Sequence, residues 1–235
     1  VLALTGIHWR EAWKYGLRAY RYCQHDCGHA IAAVAYAAAA LGWRARLLGG
    51  WGDDELAALL GLHRTEDFAD AEPENPEVAL WVGRELPPAD LLPNVLSDGL
   101  SFVGRANRLS HARRDWRGIE EVDRAAHRPN AMPLPAFQPP FRPRLAESGR
   151  QASAAALIRQ RRSAVAFDGA TALPAERWFG MLDALLPRPN VPPLDVWPWP
   201  PRVHPLLFAH RIEGVPSGLY LLARTAEALA ELRGA

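Results

Sequence analysis

The chain has 235 residues, 49% of them apolar, which is enough to bury a core and excludes disorder throughout. Its formal net charge of +1 excludes a general electrostatic attraction to nucleic acid or to an anionic membrane, so a partner must be recognised locally. The two cysteines, Cys23 and Cys27, are too few for a disulfide scaffold and indicate a reducing, cytoplasmic compartment.

The first block of the chain, residues 1–85, combines strand and helix signals. It opens on residues typical of the end of an apolar strand, and a helix is predicted over 27–41, with Asp26 as its N-cap and Gly42 as its left-handed stop. Because apolar residues occupy all faces of this helix, we expect it to be central and buried. A second helix with an acidic start is predicted over 53–62, and a buried strand over 78–83.

Proline dominates the middle of the chain. Nine of the 21 prolines fall within residues 86–150, a composition that favours a linker or an extended wrapping segment.

The last block, residues 151–235, is patterned again. A helix is predicted over 152–162 with Leu157 and Ile158 facing inward. A second is predicted over 173–186, with Pro174 at its first position and one apolar face formed by Trp178, Met181, Leu182 and Leu185. The segments "RVHPLLFAHRI" and "GLYLLAR" then predict a β-hairpin, so the fold class is α+β.

Lys14 is the only lysine in the sequence, and Tyr15 follows it directly. An ammonium group beside a phenol can lower the phenol's pKa and share a proton with a substrate, a pairing that suits proton abstraction. The chemistry of the two residues alone favours a simpler interpretation, in which Lys14 lies at the surface and Tyr15 packs.

The stretch "CQHDCGH" alternates thiols and imidazoles at Cys23, His25, Cys27 and His29, and zinc binds both ligand types. On a helix, however, the two cysteines lie on one face and the two histidines roughly opposite, so the four side chains cannot converge on one ion. We therefore expect buried cysteines and capping groups at a helix entry, and no metal site.

Arg161, Arg162 and Ser163 stand together after the helix predicted over 152–162. Two guanidinium groups and a hydroxyl can converge on a phosphate dianion through charge-assisted hydrogen bonds. In a chain with 26 arginines the pair is equally well explained as solvated surface.

Two long stretches resemble nitroreductase-like flavoproteins of the SagB-type dehydrogenase and azoline oxidase branch. "REAWKYGLRAYRYCQHDCGHAIAAVAYAAAALGW" is similar to the second half of such a domain, and "LIRQRRSAVAFDGATALPAERWFGML" is similar to its opening. The resemblance implies a nitroreductase-like α+β fold, with an antiparallel-rich sheet flanked by helices, present as partial domains. The halves stand in reverse order, which predicts a fragment of a tandem protein. Residues 1–85 would be the C-terminal half of a first domain and 151–235 the N-terminal part of a second, joined by 86–150.

The resemblance assigns roles to five residues. Lys14 and Tyr15 match the pair that assists removal of a ring proton in azoline oxidation, and Arg161, Arg162 and Ser163 match the segment that binds FMN. Two features depart from the family: Val165 stands where a basic residue is usual, and "PRPNVPPLDVWPWPPR" replaces the later flavin loop.

These implications lead to two functional hypotheses. The first is an FMN-dependent oxidoreductase that transfers a hydride between flavin and a small heterocyclic or peptide-derived substrate, as a homodimer or an intramolecular pseudo-dimer. The second, favoured by the two departures, is a flavin-free scaffold for dimerisation or peptide binding. A composite site is also considered, in which the outer blocks pack together and Arg161 and Lys14 face a shared cleft. It requires both residues to belong to one core.

Overall fold

The computed structural model describes residues 1–88, 91, 93, 96, 99–108, 116–134, 137–145 and 152–234. The chain divides into two compact units. The first comprises 1–135 with 196–198, and the second comprises 136–195 with 199–235. Both contain helices and antiparallel strands, so the predicted α+β class is confirmed. No helix among the described residues is long and apolar enough to cross a membrane.

The first unit contains a three-stranded sheet. Its strands are β1 (Leu2–Gly6), β2 (Arg44–Leu47) and β3 (Asn75–Gly83), and β3 pairs antiparallel with both others in the order β1-β3-β2. Leu80 lies at the centre, opposite Leu2 on one side and Leu47 on the other, and it is fully buried. The strand predicted over 78–83 is therefore confirmed as the middle of the sheet, with three further residues at its start.

The described residues of this unit include the helices α1 (His8–Tyr15), α2 (Ala19–Ala40), α3 (Asp53–Leu60) and α4 (Arg117–Ala126). The helix α3 confirms the prediction over 53–62. It begins with three acidic residues beside the positive end of its dipole and ends at Gly61 in the left-handed conformation. Its Leu56 packs with Trp51 and with Ala79 of β3 in one apolar cluster.

The prediction for α2 was wrong in two respects. The helix begins at Ala19 rather than at residue 27, directly after a 3-10 turn over Gly16–Arg18, so Asp26 lies inside the helix and caps nothing. It is also not buried on all faces, because its buried side chains are Ala19 at the start and Ile31, Ala35 and Ala38 on one face further along. Because alanine is found on both the buried and the exposed face of a helix, the alanine-rich sequence did not indicate which face would be buried. The stop at Gly42 is confirmed by its φ of 71°.

Part of the proline-rich segment belongs to the core of the first unit. The helix α4 places a fully buried Ile119 in a cluster with Trp9, Ala12 and Ala19. Beyond α4 the chain runs along the loop between β2 and α3, where the Arg128 amide donates to Asp53 Oδ2 (2.6 Å) and its guanidinium donates to Gly49 O (2.7 Å). The described residues 116–134 are therefore a helix and a wrapping segment, not a free linker.

The second unit contains the helices α5 (Ala154–Gln160), α6 (Ala175–Asp183) and α7 (Ala226–Gly234), and a hairpin of β4 (Leu206–Ala209) and β5 (Gly218–Leu221). The predicted hairpin is confirmed, and Pro205 lies just outside its first strand, where no ladder hydrogen bond is lost. Arg188 is buried in this unit. Its guanidinium donates to the Asp183 carboxylate and to the carbonyls of Asp183 and Arg142.

The inward face predicted for α5 was wrong, and the apolar face predicted for α6 is covered only in part, with Trp178 and Leu182 half-buried. Leu157 and Ile158 of α5 are exposed, as are Met181 and Leu185 around α6. The helix α5 is only two turns long, so its sequence periodicity contained too few residues to define a buried face. Pro174 precedes α6 as its N-cap rather than occupying its first turn.

We predict that Gly52→Ala destabilises the first unit, because an added Cβ would lie 2.4 Å from Pro129 O and 2.5 Å from the Asn130 carbonyl carbon. Both contacts are with backbone, so the wrapping segment must move, and a loss of about 1–3 kcal/mol in the free energy of unfolding is expected. Urea denaturation followed by tryptophan fluorescence measures this loss.

Gly28→Ala provides the matched control, because Gly28 lies inside α2 and an added Cβ meets no atom within 4 Å. Higher helix propensity should stabilise that variant by up to about 1 kcal/mol. Equal stability of the two variants would show that the close approach at Gly52 does not constrain the fold.

Candidate functional site

Lys14 and Tyr15 are the last two residues of α1, which ends at Gly16 with a φ of 57°. The Lys14 side chain is fully exposed, and its Nζ lies 5.0 Å from the centroid of the Tyr15 ring. Hydrogen bonding with Tyr15 raises the pKa of Lys14 above its ordinary value. Lys14 therefore remains protonated at neutral pH and can act as a cation or a proton donor.

The pair is anchored through the tyrosine. The Tyr15 ring packs on Tyr22 of α2, with the ring centroids 4.4 Å apart. Tyr15 also borders the apolar cluster that contains Ile119 and Trp9, and the Trp116 indole packs over the neighbouring Gly16, where an added Cβ would lie 3.2 Å from the ring. A bulkier residue at position 16 would therefore disturb the tyrosine as well as the end of the helix.

Arg161, Arg162 and Ser163 follow α5 and are exposed. Arg162 Nη1 donates to the carbonyls of Arg159 and Arg161, at 2.8 Å each. Arg161 and Ser163 have no side-chain hydrogen bond within the described residues, which leaves a guanidinium and a hydroxyl that can donate outward. This set of donors fits a phosphate group. Residues 161–170 are all exposed, so this described segment does not by itself form a cradle for a flavin ring.

The predicted site residues are divided between the two compact units. Lys14 and Tyr15 belong to the first compact unit, and Arg161, Arg162 and Ser163 belong to the second. The composite site required Lys14 and Arg161 to share one core, so its condition is not met.

The helix α2 separates the thiols from the imidazoles, as expected from their spacing. Cys23 and Cys27 line one cavity together, whereas His25 and His29 are exposed and do not line it. His29 Nδ1 lies 2.9 Å from the carbonyl of His25, within its own helix. Among the described residues, no three His, Cys, Asp or Glu side chains are placed to hold a metal ion.

A second cavity, of about 390 Å³, lies where α1, α2, α3 and α4 meet the start of β3. His8 is buried in its wall, with Nε2 2.7 Å from Glu77 Oε1. Its Nδ1 lies 3.3 Å from the amide nitrogen of Asn75, which donates to Asp123 Oδ1 at 2.9 Å. Both ring nitrogens are thus engaged, and His8 connects α1 to β3 rather than acting as a free base.

The lining of this His8 cavity is acidic. Five carboxylates line it, from α3, from β3 and the segment before it, and from α4: Asp53, Asp54, Glu74, Glu77 and Asp123. Among the described residues, no lysine or arginine lines it. Burial raises the pKa of Asp123, although the nearby His8 and the Asn75 amide oppose the shift. Burial also raises the pKa of Tyr20, whose ring lies 4.7 Å from that of His8.

Sequence reasoning missed this cavity, because its residues are distant along the chain. The available signal was local: Asn75 and Glu77 are polar residues at the start of an otherwise apolar strand, and His8 follows β1 after one intervening residue, Ile7. Comparisons with protein-family models, with curated proteins and with solved structures find no match for this chain.

We predict a pH-dependent contribution of Asp123 to stability. Its raised pKa means that the folded state holds the proton more tightly than the unfolded chain. The stabilisation is therefore fully present below about pH 4, the ordinary pKa of Asp, and is lost as the pH rises through the folded-state pKa. The free energy of unfolding of the wild type, minus that of Asp123→Asn, should fall between pH 3.5 and pH 7, as measured by urea denaturation. A difference that is constant, or that grows with pH, would contradict the assignment.

Proposed function

We propose that this chain functions in an FMN-dependent oxidoreductase with a nitroreductase-like fold. It would transfer a hydride between flavin and a small heterocyclic or peptide-derived substrate. The observation that carries the proposal is the Lys14–Tyr15 pair: the single lysine of the chain is exposed beside a tyrosine that is held in place by packing. The surrounding sequence resembles the azoline oxidase branch, which supports the same role.

FMN, when bound, would supply the redox chemistry of hydride transfer. Arg161, Arg162 and Ser163 would hold its phosphate, since their donors are exposed. Because they belong to a different compact unit from Lys14, the Lys14 that serves this flavin would come from the other copy in the proposed dimer. Arg162 is already oriented by the carbonyls of Arg159 and Arg161, which limits the freedom that binding must remove.

The proton would be handled by the end of α1. Lys14, kept protonated by its raised pKa, would bind a heteroatom of the substrate and stabilise negative charge that develops there. The Tyr15 hydroxyl would take part in removing the ring proton. We further propose a cytoplasmic location and a homodimer or an internal pseudo-dimer, in keeping with the two free thiols.

One observation favours the second candidate function, a flavin-free dimerisation scaffold. In the hairpin, Leu206 pairs with Leu221 and Phe208 with Leu219, so these four side chains share one face, and all four are exposed. A two-stranded hairpin of this size is only marginally stable in water. A second copy, related by a two-fold axis, would present the same apolar face and cover it.

The oxidoreductase proposal is tested by titrating the purified chain with FMN and by following oxidation of a thiazoline peptide as the loss of two hydrogens by mass spectrometry. Arg161→Ala and Arg162→Ala should each weaken FMN binding by about tenfold or more, because each removes a charge-assisted hydrogen bond. Lys14→Ala should bind FMN like the wild type and lose turnover.

Arg21→Ala is the matched control for Lys14→Ala, since it removes one exposed positive charge from α2 without touching the pair. It should retain both binding and turnover. Full turnover in Lys14→Ala would refute the role of the lysine, and a chain that does not quench FMN fluorescence would leave the scaffold function.

For the scaffold function, we expect the wild type to dimerise and Phe208→Glu to dissociate the dimer, because two copies would bring the new carboxylates together in an apolar contact. The dimer dissociation constant should rise by more than about tenfold, as measured by sedimentation velocity. Val203→Glu, at an exposed apolar residue outside β4 and β5, is the control and should leave the dimer unchanged. A wild type that stays monomeric would exclude this function.

A further inference from the structure

Cys23 and Cys27 face the same cavity, of about 420 Å³, between α2 and the junction of β1 with α1. They are one helical turn apart, and both are partly buried while their neighbours on α2 are mostly exposed. Residues at this spacing have Cβ atoms roughly 5–6 Å apart on one helix face. Both thiols can therefore reach one ion between them.

The cavity is negatively charged. Four carboxylates line it, from Glu11, Asp26, Glu74 and Glu77, against the single guanidinium of Arg10. Arg10 is already engaged, donating to the Asn107 carbonyl at 2.9 Å and lying 3.8 Å from Glu72. A cation entering between the thiols would thus meet a favourable potential.

Both thiols are protected from spontaneous ionisation. Burial raises the pKa of Cys23 and of Cys27 to about 11, and the Glu77 carboxylate contributes to both shifts. At neutral pH the two side chains are therefore neutral thiols and weak nucleophiles. A thiophilic cation can still bind them by displacing their protons.

We propose that Cys23 and Cys27 form a binding site for a soft divalent metal cation, of which Hg²⁺ is the representative, held by two thiolates in a near-linear arrangement. Each thiol loses its proton and forms one metal–sulfur bond, so two protons leave for each ion bound. The two positive charges of the ion balance the two thiolates, which leaves the charge of the cavity unchanged. Thiolate sulfur is the ligand that soft metals select, and a two-coordinate ion needs no third side chain.

The histidines of the same segment are not ligands in this site. His25 and His29 are exposed and do not line the cavity. This separation distinguishes the two-thiol site from a four-ligand zinc site built on the same seven residues, and it supplies a control.

The experiment titrates the full, reduced chain with HgCl₂ and records the ultraviolet absorbance of the mercury–thiolate bond. We expect one ion per chain, with release of two protons in weak buffer. Cys23→Ser and Cys27→Ser should each lose this binding, while the double variant His25→Ala/His29→Ala should keep it. Circular dichroism checks that each variant folds, and blocking both thiols of the wild type with N-ethylmaleimide provides a second test that needs no variant.

The proposal would be overturned by a mercury-linked dimer in size-exclusion chromatography, since the two thiols would then bind separate ions across chains. It would equally be overturned if either single cysteine variant bound Hg²⁺ as tightly as the wild type, or if the histidine variant lost binding. Retained one-to-one binding after complete alkylation would refute it as well.

Discussion

The carboxylate of Glu77 connects most of the first unit. β3 carries one residue more than β1 at this point, because Leu4 pairs with Val78 and Thr5 with Pro76, which leaves Glu77 without a partner in the ladder. A bulge of this kind redirects a side chain out of the regular alternation. Glu77 Oε1 lies 2.7 Å from His8 at the start of α1, and Oε2 accepts from Gln24 of α2 at 2.6 Å. Gly6 leaves the necessary space, since a Cβ there would lie 2.2 Å from Oε1.

This arrangement makes the sheet and the helices dependent on one another. Glu77 and His8 are almost wholly buried, and a buried charged group left without its partner costs about 3–5 kcal/mol. Asn75, two residues earlier in β3, extends the same network to Asp123 of α4. The helices α1, α2 and α4 are thus positioned by polar contacts with the first residues of β3. The apolar cluster around Ile119 packs the same helices α1, α2 and α4 together.

Sequence patterns correctly predicted the elements whose structure depends on residues that are close together in the chain. The alternation and turn residues of the hairpin, the acidic start and glycine stop of α3, and the apolar run of β3 all correspond to structure. The start of α2 could not be predicted in the same way, because no side chain caps it and the preceding 3-10 turn replaces the usual signal. The partnership of His8, Glu77 and Asp123 was hidden for another reason: it depends on pairings across up to 115 positions and on a bulge that no single segment encodes.

The polar side chains of α1 and α2 lie in three different places. His8 is buried in the wall of the His8 cavity, Lys14 lies in solvent at the other end of α1, and Cys23 and Cys27 line the cavity between α2 and the junction of β1 with α1. Glu77 lines both cavities, so its carboxylate is the group they share. Because Coulomb interactions are screened less inside a protein than in water, a charge introduced into either cavity acts on the carboxylate of Glu77 that both cavities share. The bulge that orders the first unit therefore also places one carboxylate in the lining of both cavities, whereas Lys14 lies in solvent, where water and salt screen its charge.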